Sequence, residues 1–526
     1  MPATILGTVP YAAAGFGGRL CADLAGDFAR VKPFFRRDPR SESDWNALFE
    51  ELDTHAHPRA ELAAILARAC AEFGQPDEAH RNAARLAEPK TYAILTGQQA
   101  GLFGGPLYSL FKALTAVRWA RELEARHGPA RRFVPVFWVA SDDHDLDEVD
   151  HAYLLDADAR LQRLKVEIPA DLRGRGAGDV SVAGTLEALR APLEALLPGA
   201  AGALLAPYRA RNLGGAFAEL LSGWLGALGL VVVESTALRP LGRDLFAREL
   251  AEFEASNRLV REAGERMLAA GYEPGFEPRG SGAPAPHLFE HRDSGRARIA
   301  AGNAAGLREA AAREPGRFSP GAALRPVLQQ LAFPVAAAVL GPGELAYWAQ
   351  LPELHDRYGA VWPMLVPRAT FTLLDGKVAK ARRRLDAAPA DLFLPWDELR
   401  AKYLSGGALG ARLDAGAERM LAEFDALHAE VRARDQGLEP LFAKARQRIE
   451  GELARVGEKV KANEAERGDS GLTRLTCLAE SVRPKGRPQE RTLCAAAFAA
   501  RDPGLGAALL EVLDPLVFAH AVVELS

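Results

Sequence analysis

Three features of the chain predict an α/β fold built on a parallel sheet. Short apolar segments, partly β-branched, recur at Tyr92–Thr96, Arg132–Ala140, Gly229–Val233 and Val335–Leu340, as expected of strands covered on both faces. An amphipathic helical run from about Leu107 to Glu124 separates the first two, and strand, helix and strand in that order form a right-handed unit with parallel, neighbouring strands. Glycine-rich turns follow two of the strands, at Gly97–Pro106 and Gly341–Gly343, where ligands sit in open α/β sheets. Together these features describe a Rossmann-type core.

In chain order, residues 1–90 read as a helical, solvent-facing lead-in, because Trp45, Leu48 and Leu52, and then Leu62, Ile65, Leu66 and Cys70, recur at helical spacing. The first strand, its glycine turn and the long helix follow, and His127-Gly128-Pro129 ends the helix before the second strand. Met364–Val366 and Thr370–Leu374 are expected to extend the same sheet. The spacers at about 156–227 and 245–332 are too long for simple crossovers and read as insertions. The second of them includes an irregular Gly/Pro-rich loop, Gly271–Pro286.

After Lys377 the sequence becomes charged and Leu/Ala-rich. Leu413, Ala417, Met420, Phe424, Leu427 and Val431 alternate spacings of four and three, and the series resumes at Leu438, Leu441, Ala445, Ile449, Leu453, Val456 and Val460. That is a heptad seam. As one helix kinked at Pro440 it would be about 70 Å long and would need a partner along its length. The expected organisation is a core over 1–375, a coiled-coil arm that forms a homodimer over 376–470, and a return of 471–526 to the core.

Among the 526 residues, 48% are hydrophobic and 25% charged, which are ordinary globular values. Lys+Arg at 65 against Asp+Glu at 69 leaves a net charge of −4, too balanced for a general nucleic-acid or anionic-membrane binder. Cys21, Cys70, Cys477 and Cys494 have neither C-x-x-C spacing nor a zinc-like cluster and read as reduced thiols. Met1–Gly18 lacks a signal-peptide pattern and Phe333–Leu340 is too short to cross a bilayer. A cytoplasmic protein is expected.

Three constellations carry candidate chemistry. The turn Thr96–Tyr108 includes Gly97, Gln98, Gln99, Gly101, Gly104 and Gly105, and amides at a helix N-terminus favour an anion. It matches no dinucleotide or P-loop motif, and tight packing explains such a turn equally well. Ser141-Asp142-Asp143-His144-Asp145 follows the second strand. One Asp there is expected to cap a helix over Leu146–Leu154, with His151 on the same helical face as His144. Gly341-Pro342-Gly343-Glu344, Tyr347 and Trp348 follow another strand, and Arg325 and Arg368 are candidate bidentate clamps for a carboxylate or phosphate.

TGQQAGLFGGPLY, VPVFWVASDDHDLDEVDH, FSPGAALRPVLQQLAFP with LGPGELAYWAQL, and GRPQERTL occur in order from about residue 90 to the end. In these motifs the chain resembles the family of bacillithiol biosynthesis cysteine-adding enzymes. It departs from the family pattern at Asp142, where Glu is expected, and at Gln330, where Asp is expected. The resemblance implies a nucleotidylyltransferase-like core, two insertions, a dimerising coiled coil, and the joining of cysteine to glucosaminyl malate. Activation of the cysteine carboxylate implies ATP, with Mg²⁺ on its phosphates and no metal site assigned to the protein. The catalytic candidates are then Asp143, His144 and Asp145. Gln98, Gln99, Tyr108, Arg325, Gln329, Glu344, Tyr347 and Trp348 are candidates for binding substrate, and Gly97, Gly101, Gly104, Gly105, Gly341 and Gly343 for binding nucleotide. Two alternatives remain open: a metal-dependent hydrolase using Asp142, Asp143, His144 and Asp145, and a coiled-coil scaffold without catalysis.

Overall fold

The computed structural model describes residues 2–276, 284–404 and 408–526, so part of the expected Gly271–Pro286 loop lies outside the described residues. The chain forms two compact units, Met1–Leu374 with Arg483–Ser526, and Asp375–Val482. Strands of the first unit are, in chain order, β1 (Ala3–Val9), β2 (Thr91–Gln98), β3 (Arg132–Val139), β4 (His151–Leu155), β5 (Leu161–Lys165), β6 (Val231–Glu234), β7 (Leu288–Arg292), β8 (Gly295–Arg298), β9 (Phe318–Pro320), β10 (Val335–Leu340), β11 (Met364–Pro367), β12 (Thr370–Leu374) and β13 (His520–Leu525).

The central sheet is parallel, in the order β11-β10-β2-β3-β6. Its first three strands in the chain, β2, β3 and β6, build outward in one direction, and β10 and β11 build outward in the other. Strand order therefore reverses between β2 and β10, which is the Rossmann arrangement. The segments between β3 and β6 and between β6 and β10 add sheets of their own: the antiparallel hairpin β4–β5, whose first strand precedes the expected start of the first insertion, and β8-β7-β9.

The residues before β2 are not a solvent-facing lead-in. The helix Glu42–Thr54, started by the Ser41 side chain accepting from the Asp44 amide, buries Trp45, Leu48, Phe49 and Leu52 against Tyr92, Ile94, Trp119, Phe133 and Val339. Each such side chain contributes about 1.5–3 kcal/mol by leaving water. Helical spacing reveals an apolar stripe but not what the stripe covers, and here it covers the sheet.

Residues 3–9 also form β1, which pairs antiparallel with β13. Thr370–Leu374 does not extend the central sheet. It becomes β12 and pairs with β13 in the separate order β1-β13-β12. The C-terminal segment is fastened there by side chains: Gln489 accepts from the Leu373 amide at 2.8 Å and donates to its carbonyl at 2.9 Å. Beside it, Glu490 pairs with Arg368, and both are 1–2% exposed.

Within Asp375–Val482 the expected continuous helix is replaced by two, Ala408–Arg432 and Glu439–Val482, separated by a 3₁₀ turn at Gln436–Leu438. Asp425 pairs with Arg446 at 2.7 Å, and Gly457 lies beside Asp414, so the helices run antiparallel. Phe442 packs on Phe424 and stacks on His428, with ring centroids 5.7 and 5.0 Å apart. Part of the heptad seam is thus satisfied within the chain, because the chain reverses between Arg432 and Glu439 in place of the expected kink at Pro440. The boundary expected near 470 falls inside the second helix.

Removing one member of a buried ion pair strands the other charge in a low dielectric, at a cost of about 3–5 kcal/mol, whereas replacing both with apolar residues is far milder. Arg368→Met is expected to lower the stability of the protein by that amount in urea unfolding, and Arg368→Met with Glu490→Met to recover most of it. Equal losses in the single and double variants would show that the pair is not the tie.

Candidate active site

The reversal of strand order leaves a crevice at the carboxyl ends of β2 and β10. A cavity of about 390 Å³ occupies it. All eight residues expected to bind substrate line it: Gln98, Gln99, Tyr108, Arg325, Gln329, Glu344, Tyr347 and Trp348. Gly97, Gly341, Gly343 and Asp143 line it as well. A second cavity of about 670 Å³ adjoins the first and shares Gln99, Asp143 and Arg325 with it. His144 and Asp145 line only this second cavity.

The helix Tyr108–His127, entered from the β2 turn, carries Lys112 into the crevice floor. Its ammonium donates to the Gly97 carbonyl at 2.7 Å and to Gln98 Oε1 at 3.0 Å, and pairs with Glu344 at 2.5 Å. Burial draws the Lys112 pKa down, against the pull of Glu344. Glu344 also accepts from the Gly341 amide at 2.8 Å, so a carboxylate of the chain itself fills the anion position of the Gly-Pro-Gly turn. Arg325 donates to the Tyr347 hydroxyl at 2.9 Å. Arg368 lies over the Tyr108 ring at 5.2 Å, and burial pushes the Tyr108 phenol up to about 12. Lys112 and Arg368 thus have carboxylate partners; among the described residues Arg325 and Arg491 form no ion pair, yet both face the cavity.

Gly101, Gly104 and Gly105, expected to bind nucleotide, line neither cavity. A Cβ on Gly101 would meet Gly105 at 2.6 Å and one on Gly104 would meet Trp224 at 2.5 Å, while Gly104 and Gly105 have φ of 86° and 65°. They are glycine for backbone conformation and close packing. Three of the turn's amides are also occupied: Leu102 by the Val149 carbonyl, Phe103 by the Tyr208 hydroxyl and Gly105 by the Leu102 carbonyl.

The acidic segment after β3 does not converge on one point. Asp142 turns to Arg239, which it meets at 2.5 Å, and its amide donates to Ser235. Asp143 accepts from Gln99 at 2.8 Å, and the same amide group of Gln99 donates to Glu148 at 2.8 Å. Burial alone would raise the Asp143 carboxyl, but Gln99, the Asp145 amide, Arg296 and Arg325 outweigh it and hold the group below the usual carboxylate range. Burial, with Arg296 close by, lowers the His144 pKa, so its imidazole is neutral at pH 7.

The helix expected over Leu146–Leu154 is absent. Leu146–Glu148 is a 3₁₀ turn and His151 opens β4, where it contacts Asp150 at 3.0 Å. Among the described residues no three His, Cys, Asp or Glu side chains are placed to hold a metal ion, and Asp142, one of the four ligands of the hydrolase alternative, is engaged by Arg239. Gln330 is buried outside both cavities, with Oε1 unpartnered among the described residues. The four cysteines are free and buried, and burial pushes the Cys21 and Cys70 thiols up to about 11.

Trp138, Arg296 and Arg491 belong to the two cavities but are not among the residues that the sequence marks for the site. For Arg491 a signal exists in the GRPQERTL motif, whose Gln489 and Glu490 fix the segment that delivers it. Arg296 has none, because it reaches the site from β8 of the second insertion.

Residues 8–369 match the family described as Bacillithiol biosynthesis BshC, N-terminal Rossmann-like domain, and residues 371–525 match its C-terminal coiled-coil domain. A protein of Thermus thermophilus named Putative cysteine ligase BshC is 35% identical over 482 residues, 86% of this chain and 92% of that one. Proteins of the same name from Symbiobacterium thermophilum and Chlorobium phaeobacteroides are 30% and 27% identical, covering 92% and 88% of this chain and 93% and 88% of theirs.

At the end of β6, beside Ser141, burial pushes the Glu234 carboxyl up to about 7, and its Oε1 has no partner among the described residues. A carboxyl with a raised folded-state pKa binds more protons when folded. Its stabilising contribution is therefore full below the unfolded-state value and is lost as pH rises through about 7. Glu234→Gln is expected to gain in melting temperature over the native protein between pH 5 and pH 8. A difference independent of pH would place the Glu234 titration elsewhere.

Proposed function

Because the chain belongs to the bacillithiol biosynthesis BshC family, we propose that it is a cytoplasmic ligase joining the carboxylate of cysteine to the amine of glucosaminyl malate. The observation that carries the proposal is the crevice at the strand-order reversal, with Arg325 and Arg491 facing it and, among the described residues, no carboxylate paired to either. Two such guanidiniums suit an anionic ligand, and crevices at this position in open α/β sheets receive ligands.

Amide formation from a free carboxylate in water is uphill, so ATP is the proposed co-substrate. A carboxylate oxygen of cysteine attacks the α-phosphorus and pyrophosphate leaves. The acceptor amine, having lost its ammonium proton to water, then attacks the acyl carbon. The C–N bond forms, the C–O bond breaks with its electrons going to AMP, and a second proton is released. Arg325 and Arg491 would bind phosphate oxygens, and Gly343, where a Cβ would meet nothing within 4 Å, leaves room for them. Mg²⁺ would be held chiefly by those phosphates. Asp143, ionised and fixed by Gln99, suits an incoming ammonium at the junction of the two cavities.

The helical hairpin supports a homodimer. Met420, Leu427, Leu441 and Val456 are 59%, 53%, 64% and 47% exposed, although the two helices already pair with each other. Leu427→Glu with Leu441→Glu is expected to give a monomer in sedimentation. A dimer in that variant would place the interface elsewhere.

With cysteine, glucosaminyl malate and ATP supplied, mass spectrometry is expected to show bacillithiol, and no product when ATP is omitted. Asp143→Asn and His144→Ala are each expected to lower turnover by about 10²-fold or more, and replacement of the four cysteines by serine or alanine to leave it intact. Folded protein that forms no product, or product that is unaffected by both variants, would overturn the function or the site respectively.

A further inference from the structure

His144 and Arg296 meet where the second insertion closes over the end of β3. Arg296, on β8, lies over the Phe289 ring with its guanidinium carbon 3.8 Å from the centroid. It donates from Nε to Ser319 Oγ at 3.0 Å and from Nη2 to the Pro320 carbonyl at 3.0 Å. With those bonds made, its Nη1 is directed at His144 Nδ1, 3.3 Å away. The imidazole ring is 5.8 Å from the same Phe289 ring. The other charged groups acting on it are Asp143, Asp145 and Arg298; Asp143 Oδ1 lies 3.9 Å from the same Nδ1, farther than the guanidinium and beyond hydrogen-bond reach, and accepts from the Asp145 amide instead.

An arginine has only donors and does not deprotonate in proteins. The nitrogen facing it must therefore accept, so Nδ1 carries no proton and the neutral ring carries its proton on Nε2. We propose that Arg296 is a positioning residue that locks His144 in the Nε2–H tautomer, so that His144 offers the substrate a hydrogen-bond donor and not a base. The matching ligand group is an oxygen that gains negative charge, such as the carbonyl oxygen of an acyl group under attack, for which a fixed donor is worth more than it is in water. To act as a base, the ring would have to take a proton at Nδ1, against the guanidinium. The approach from an insertion strand also explains why a β-sheet with no catalytic candidate of its own packs over the active segment.

The catalytic part of this inference rests on the ligase proposal, whereas the tautomer does not, and the two are measured separately. In long-range ¹H–¹⁵N spectra of protein labelled with ¹⁵N-histidine, the signals lost in His144→Gln identify the ring. At pH 7 the native protein is expected to show a protonated Nε2 and an unprotonated Nδ1. Arg296→Lys keeps the charge but not the N–H aimed at Nδ1, and Arg296→Met removes both; each is expected to give mixed tautomers, and Arg296→Met also to raise the pH at which the ring titrates. Arg298→Met, which removes a nearby charge but no bond to Nδ1, is expected to leave the tautomer alone. An Nδ1–H ring in the native protein, or an unchanged tautomer in a folded Arg296 variant, overturns the proposal. In turnover, His144→Gln retains a donor without a base and is expected to keep activity that His144→Ala loses by about 10²-fold. Equal loss in both would show that a base is required at this position.

Discussion

The reversal of strand order between β2 and β10 is the constraint from which the site follows. At every other pair of neighbours in the sheet the chain builds outward in one direction. At this pair it has built both ways, and the segments leaving the two carboxyl ends cannot fill the space between them. Residues far apart in the chain meet there: Gln98 and Tyr108 from the β2 side, Glu344 and Tyr347 from the β10 side, Arg325 from the helix before β10, and Arg491 from the C-terminal segment. Contacts between the two sides could not be local, since the parallel strands themselves are joined only by long crossovers.

Buried charge organises that crevice. Lys112 with Glu344 and Arg368 with Glu490 are pairs inside a low-dielectric region, where ions are tolerated only when paired and hydrogen-bonded. Each pair joins segments distant in sequence: Lys112 ties the helix after β2 to the turn after β10, and Arg368 ties the end of β11 to the C-terminal segment. Because these carboxylates are committed to Lys112 and Arg368, Arg325 and Arg491 are left as the cations with charge to offer. The same division explains why an acidic segment as dense as Asp142–Asp145 is tolerated. Asp142 is neutralised by Arg239 and Asp143 is solvated by Gln99, so the mutual repulsion expected of such a cluster is largely relieved.

Local signals carried most of the central sheet and much of the site. β2, its turn and the following helix, and β10 with Gly341–Glu344, are each specified by a dozen or so consecutive residues, and their burial is written as unbroken apolar runs. What sequence could not supply was pairing at long range. Trp45, Leu48 and Leu52 show a helical stripe whether the stripe meets a sheet or a partner protein. Thr370–Leu374 is short, largely apolar and fully buried like the strands of the central sheet, and only its pairing with β13 removes it to another. Likewise, the heptad spacing from Leu413 to Val460 fits one long helix or two antiparallel ones, and the choice lies in the few residues between Arg432 and Glu439. Arg296 sits on a short polar strand without a motif, and it gains meaning only from the Phe289 ring beneath it and the imidazole in front of it.

The glycine-rich turn shows how two physical demands share one sequence signature. A run such as Gly101–Gly105 suits an anion nest, because free amides can converge on a ligand, and it suits tight packing equally, because no Cβ is in the way. What separates the two is whether the amides are free. Here those of Leu102, Phe103 and Gly105 are taken by Val149, Tyr208 and Leu102, and the side on which a Cβ would sit is filled by Trp224 and by the turn itself. The turn therefore brings β2 close to the helix that carries Tyr108 and Lys112, and what faces the crevice is side chains, among them Arg325, Arg491, Tyr108, Gln98 and Gln99.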